Sequence, residues 1–269
     1  MSHKVFIHLE SNRGYSRDLL RGIYDYNNQI SHWDIIFEPA YFLKNHRANN
    51  RINLIQSVQP DACILENSED IAQMAPLGIP MIQVTSVNNV EGIPYVKGNY
   101  LSDAQLAIQY FTRKGFKSLA FLGIENLEWS LQRRTFFREM AISSNAQFSS
   151  FLLKGNEEDV LSYNFEHLVS WIKSLPKPTG VLCCNDDFGQ ILINACSIAQ
   201  VKVPHEIAVL GIDNDELICN ITYPNLSSIA RNHQSTAFNI CSTLSNMLQE
   251  KVPNQQIKLL SNLLKNVSE

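Results

Sequence analysis

Short apolar runs alternate with amphipathic stretches along the whole chain. Lys4 to Leu9 reads as a strand, Glu10 to Gly14 as a polar turn, and Tyr15 to Asn27 carries Leu19, Leu20, Ile23 and Tyr26 at the spacing of one helical face. The pattern continues with strands at Trp33 to Phe37, Ala62 to Leu65, Met81 to Val84 and Tyr95 to Lys97, and helices over Arg51 to Val58 and Ser68 to Ala75; Asn88 to Pro94 is a loop. It then restarts, with helices over Tyr100 to Arg113, Leu131 to Ile142, Asp159 to Lys173 and Gly189 to Ala199. Strands at Ser118 to Leu122, Phe148 to Leu153 and Val181 to Cys184 lie between them. Ile207 to Leu210, Leu226 to Ile229 and Ile257 to Leu260 are further strands, and Ser235 to Leu248 a last helix. Spacing of this kind builds successive β-α-β units, an α/β architecture of parallel sheets flanked by helices.

Two series of similar size predict two lobes rather than one wide sheet. The boundary is expected near Gly98-Asn99, where the first series ends. Ser227 to Gln234 runs past the second series into another helix, so later segments are expected to cross back. No Gly/Ser or Pro linker separates the halves, and several short connections suit hinge closure around a ligand in a cleft between the lobes.

Polar residues just beyond strand ends are the candidates for chemistry, because open α/β sheets bind ligands there. Pro204 ends whatever helix precedes it, Ile207 to Leu210 has the continuous apolar character of a buried parallel strand, and Gly211 is expected to release the backbone into an acidic turn. Asp213 and Asn214 would then stand at the strand's carboxyl end, where a carboxylate can accept hydrogen bonds from ligand hydroxyls. The same reasoning selects Ser11, Asn12 and Arg13 after the first strand, Glu66 and Asn67 after the third, and Asn185 with Asp186 after Cys184. Arg133 and Arg134 sit near the start of a helix, against the usual charge preference of a helix N-terminus, as a ligand contact would require. Capping is the other reading of these positions: Asn185 and Asp186 for the helix near Phe188, Ser11 or Asn12 for the first helix.

Composition narrows the classes. With 269 residues, 45% hydrophobic and 18% charged, the chain has an ordinary globular make-up, and no run approaches membrane-spanning length. A net charge of −4 with scattered Lys and Arg gives no electrostatic footprint for nucleic acid. The six cysteines have neither C-x-x-C spacing nor nearby histidines, so they read as small core residues in a reducing compartment, and neither a metal nor a cofactor is expected. No secretory signal precedes the first strand, which makes a cytoplasmic location the default. Glycine-rich phosphate loops, a G-x-S-x-G elbow and H-E-x-x-H are all missing, and His8 reads as a core or cleft-edge histidine; a binding function rather than an enzyme is expected.

The segments Asn185-Asp186, Val203-Pro204, Ile207-Ala208-Val209-Leu210-Gly211-Ile212-Asp213-Asn214 and Pro224-Asn225-Leu226-Ser227-Ser228-Ile229 resemble the lactose-repressor/galactose-repressor class of sugar-sensing domains. These share the type I periplasmic-binding-protein fold. Tyr15, Gly22, Trp33-Asp34-Ile35, Trp129, Arg133 and Arg138 are similar to the effector domains of xylose-operon-activator-like regulators. The resemblance implies that Asp213 and Arg133 hold sugar hydroxyls, with Asn185 a third contact and Ser11 to Arg13 closing from the other lobe. It also implies an N-terminal lobe of 1–98 plus 230–252 and a C-terminal lobe of 99–229 plus 253–269. Gly98-Asn99 stands where members often carry an aspartate, and Asn185-Asp186 where xylose-activator-like proteins have Thr-Asp, so the expected ligand is xylose or a related small sugar, a pentose above all. Only three residues precede the first strand, whereas Glu269 lies where an AraC-type DNA-binding region begins in the xylose-activator arrangement. The expectation is therefore a homodimeric sugar sensor that contacts DNA only through a C-terminal domain outside this chain. The competing expectation is a transport sugar-binding protein of the same fold.

Overall fold

The computed structural model describes residues 2–9, 11, 13–39, 48–66, 68–84, 89–154, 160–250, 258–261 and 264–268. The chain begins with β1 (Lys4–Leu9), α1 (Gly14–Tyr26), a π-helical turn (Asn27–Ser31), β2 (Asp34–Pro39), α2 (Ala48–Val58), β3 (Ala62–Leu65), α3 (Ser68–Met74), β4 (Met81–Gln83) and β5 (Tyr95–Gly98). It continues with α4 (Tyr100–Arg113), β6 (Ser118–Ile124), α5 (Glu128–Ser143), β7 (Gln147–Leu153), α6 (Val160–Ser174), β8 (Thr179–Cys183), α7 (Asp186–Ala199), β9 (Ile207–Asp213), α8 (Glu216–Ile221) and β10 (Ser227–Arg231). Last come α9 (His233–Glu250), β11 (Lys258–Ser261) and β12 (Leu264–Ser268).

Two compact units result. The first comprises Met1–Gly98 with Asn232–Leu263, and the second Asn99–Arg231 with Leu264–Glu269. The first unit's sheet has the order β11-β5-β4-β3-β1-β2, with every pairing parallel. The second has the order β12-β10-β9-β8-β6-β7, with five parallel strands and β12 antiparallel on the edge. Helices cover the sheets, so β1, β3, β6 and β8 are buried along nearly their whole length, as the unbroken apolar runs predict. No helix among the described residues is long and apolar enough to cross a membrane.

In the first unit α1 turns Leu19, Ile23 and Tyr26 onto a core that also holds Ala237, Ile240, Cys241 and Leu244 of α9. Gly22 makes that approach possible, since a Cβ there would lie 2.5 Å from the Ala237 Cβ. Four phenylalanines, Phe111, Phe116, Phe137 and Phe148, meet in edge-on or tilted pairs in the second unit, with Gly180 fitted beneath Phe111.

Two expectations need correction. The last passage between units falls after β11, not near Pro253: Lys258–Ser261 pairs in parallel with Tyr95–Gly98 and belongs to the first sheet. Helix α9 packs in the first unit, and the next strand, β11, takes the open edge of the same sheet beside β5. Nor does Gly211 start a turn. The strand runs on to Asp213, and the reversal comes at Asp213 and Asn214, both at positive φ (104° and 56°). Gly211 is required for another reason: a Cβ there would collide with the Asp186 carboxylate.

Candidate functional site

Four charged side chains gather at the carboxyl end of the second unit's sheet. Arg133 lies on the buried stripe of α5 with Ser130, Phe137 and Ala141, three residues further into the helix than expected, since α5 begins at Glu128 and not Leu131. Asp103 lies on the buried stripe of α4 with Tyr100, Ala104, Ala107 and Phe111. Asp213 ends β9, and Arg231 ends the neighbouring β10.

Asp213 Oδ1 accepts from an Arg133 terminal nitrogen at 3.5 Å and from an Arg231 terminal nitrogen at 3.4 Å. Behind it, Asp103 Oδ2 lies 3.5 Å from Arg133 Nε and Oδ1 lies 4.0 Å from Arg231 Nε. The remaining Arg133 fork nitrogen donates to the Cys184 carbonyl. Tyr100 and the half-buried Trp129 face the Arg133 guanidinium at 5.9 and 5.2 Å. Exposure is graded: the Asp213 side chain is 20% exposed, Arg231 11%, Arg133 4% and Asp103 2%. Asp213 is thus the corner of the quartet open to a ligand, and the two arginines hold it in place.

Asp186 faces the other way. It is 2% exposed; Oδ2 accepts from the Asp215 backbone N–H at 2.7 Å and Oδ1 from the Ser228 hydroxyl at 2.5 Å. Ser228 Oγ in turn accepts from Asn214 N–H at 3.0 Å. Burial pushes the Asp186 carboxyl up to about 8, reinforced by the negative charge of Asp213. Its work is to tie the ends of β9 and β10 to the start of α7, fixing the turn that presents Asp213.

Asn185 caps α7, its Oδ1 accepting from Phe188 N–H at 3.1 Å and its Nδ2 donating to Asp187 at 2.9 Å. One amide hydrogen remains for a ligand. Arg134, next to Arg133, is turned to Ser150 on β7 and stays outside the quartet.

In the first unit the carboxyl ends of the adjacent strands β1 and β3 carry Ser11, Arg13 and Glu66. The Ser11 carbonyl accepts from the Arg17 side chain at 3.3 Å, Arg13 is the exposed N-cap residue of α1, and Glu66 N–H donates to the His8 carbonyl at 3.2 Å. Asn12 and Asn67 lie outside the described residues. His8 is buried, with Nδ1 3.1 Å from Glu38 Oε2. All six thiols are buried, and burial pushes Cys63, Cys184, Cys196, Cys219 and Cys241 up to about 12 and Cys183 upward too, as core residues would be. Among the described residues no group of three or more His, Cys, Asp or Glu could hold a metal.

Sequence reasoning missed Asp103 and Arg231. A signal existed for the first: a carboxylate recurring in register with Tyr100, Ala104 and Ala107 is a charge on a helix's buried face, rarely found without a partner.

Residues 108–265 match the family described as periplasmic binding protein-like domain. The chain is 25% identical over 257 residues to the xylose operon regulatory protein of Haemophilus influenzae, covering 91% of this chain and 64% of that protein. It is 25% identical over 270 residues to the protein of the same name from Escherichia coli K12, covering 95% and 66%. The chain therefore spans just under two thirds of the length of these curated relatives. Among solved structures, a xylose-binding transcription activator superposes with a TM-score of 0.80 at 21% identity, covering all of this chain and 69% of that one. A LacI family regulator from Enterococcus faecium with bound ribose superposes at 0.75 and 16% identity, covering 98% and 97%. These likenesses carry the fold. With more than half of its length inside the matched domain, the chain belongs to the periplasmic binding protein-like family.

Proposed function

We propose that this chain is the effector-binding domain of a transcription regulator and takes xylose or a related small sugar, a pentose above all. The observation that carries the reading is Asp213, a part-exposed carboxylate at a strand's carboxyl end, held by two arginines where a polyhydroxy ligand can donate to it. The xylose-regulator names of its relatives and the LacI family name of a structural neighbour support the same reading. In it, Asp213 and Arg133 hold sugar hydroxyls, Asn185 adds the remaining amide hydrogen, and Ser11, Asn12, Arg13 and Glu66 are further candidate ligand contacts. Asp186 serves by holding the Asp213 turn. A ligand shifts an equilibrium only by its differential affinity for two states, so sugar contacts made in one state alone would drive the signal. That signal passes to an AraC-type DNA-binding domain following the chain, in a homodimer.

The test is a thermal-shift screen against pentoses, hexoses and their acids and phosphates, followed by calorimetry. A ligand at 100 times its Kd should stabilise the chain by about 2.7 kcal/mol. Asp213→Ala is expected to weaken binding by about 1–3 kcal/mol in a domain that stays folded, with a melting temperature lowered by the loss of one partner of Arg133 and Arg231. Unchanged sugar affinity in that variant removes this site from consideration.

A further inference from the structure

The quartet is electrically complete without a ligand. Each arginine reaches both carboxylates: Arg133 contacts Asp103 and Asp213 at 3.5 Å, and Arg231 contacts them at 4.0 and 3.4 Å. Asp103 sits deepest, its side chain 2% exposed, and its two carboxylate oxygens have no hydrogen bond in the structure. A buried carboxylate left so is costly, and what holds it is the pair of guanidinium charges. Those charges are spent on it. Further ionisable groups on the same sheet end are carboxyls too: Asp186, held by Asp215 N–H and Ser228, Asp187, engaged with Asn185, and Asp215, engaged with the first turn of α8. Arg134, the next cation in sequence, points to Ser150. A second anion brought to Asp213 would meet a carboxylate flanked by arginines whose charge Asp103 already balances, whereas an uncharged hydroxyl would meet a carboxylate placed to accept from it.

We propose that Asp103 is a specificity-determining counter-ion, which keeps Arg133 and Arg231 compensated so that the site takes an uncharged sugar and refuses the corresponding sugar acid. The inference rests on the sugar-sensing reading above and narrows its ligand class. It assigns a role to a residue buried behind the site, acting on the ligand through the two arginines.

Calorimetry on the chain with matched neutral and acidic probes tests it: D-xylose with D-xylonate, and D-glucose with D-gluconate and D-glucuronate. The parent should bind a neutral sugar at least about tenfold tighter than its acid, the factor that one lost charge-assisted hydrogen bond corresponds to. Asp103→Asn, which keeps the shape and removes the charge, should shift that ratio toward the acid by about tenfold or more. Asp103→Asn combined with Arg231→Gln restores compensation and should take the acid binding away again, a reversal that mere loss of packing would not produce. Should Asp103→Asn not fold, Arg231→Gln carries the test from the other side: with one positive charge fewer, it should favour the cation D-glucosamine over D-glucose by about tenfold relative to the parent. An acid preferred by the parent, or ratios unmoved in the variants, overturns the proposal and leaves the sensor reading standing. Binding of no sugar in either form overturns the sensor reading itself.

Discussion

Burial separates two carboxyls that sequence reasoning set side by side as candidates. Asp213 stays part-exposed between two arginines, while Asp186 is enclosed among Ser228, Asp215 and the glycine at 211. A carboxyl raised to about 8 by burial binds a proton more tightly in the folded chain than in the unfolded one. Its contribution to stability is then complete below the ordinary carboxylate range and is lost as pH rises through about 8. The melting temperature should accordingly fall as pH rises from the ordinary carboxylate range to about 8 and level off above it, by about 2–4 °C for each kcal/mol lost. Asp186→Asn supplies an amide that can accept from Asp215 N–H and donate to Ser228, so this variant should show a flatter profile in calorimetric scans. An identical slope in parent and variant would mean that another group titrates. Strand-end reasoning selected Asp213, Asn185 and Asp186 alike, but no local pattern reports which way a carboxyl turns: for Asp186 that depends on Ser228, forty-two residues away, and on the space left by a missing Cβ.

Among elements, most strands and helices were legible in the sequence, the short β3, β4 and β5 included, while helix α8 and strand β12 were not. Strands β1, β3 and β6 and helices α1, α4 and α7 stand where periodicity predicts them, because each buries one face or both. Helix α8 has six residues and too few turns to show a period, although Asp215 caps it by accepting from Leu217 and Ile218 N–H. The strand-end readings of β9 and β10 were cut short, at Leu210 and Ile229, which hid the position of Arg231. Helix α8 also leaves Leu217 and Ile221, one turn apart, 67% and 69% exposed, with Tyr223 just beyond at 91%. In the homodimer reading a second copy covers this face. Leu217→Glu should then lower the sedimentation coefficient at micromolar concentration while leaving circular dichroism and sugar affinity of the chain unchanged. A parent that sediments as a monomer at all concentrations refutes the assignment of this face.

At the scale of the whole molecule, the two-series rhythm foretold two α/β units, and what it could not supply was the sharing of the last segments between them. Strand β11 goes to the first sheet and β12 to the second, a choice made by which edge is open beside the helix just laid down. Contributions are unequal. The first unit takes α9 from beyond residue 231, and α9 supplies Ala237, Ile240, Cys241 and Leu244 to its core. The second unit takes only an antiparallel edge strand from the end. A fragment of residues 99–231 is therefore expected to fold alone with a cooperative thermal transition, whereas 1–98, with the α1 face of Leu19 and Ile23 uncovered, is expected to show none. The reverse result would place the core boundary elsewhere.

The three passages between units also set an order on biosynthesis. As the chain leaves the ribosome its first unit must wait, open along one helix face, until α9 has been made. The second unit needs only its edge strand to be complete. The part carrying Asp213 and its arginines should consequently become protease-resistant on the nascent chain before the part that was translated first.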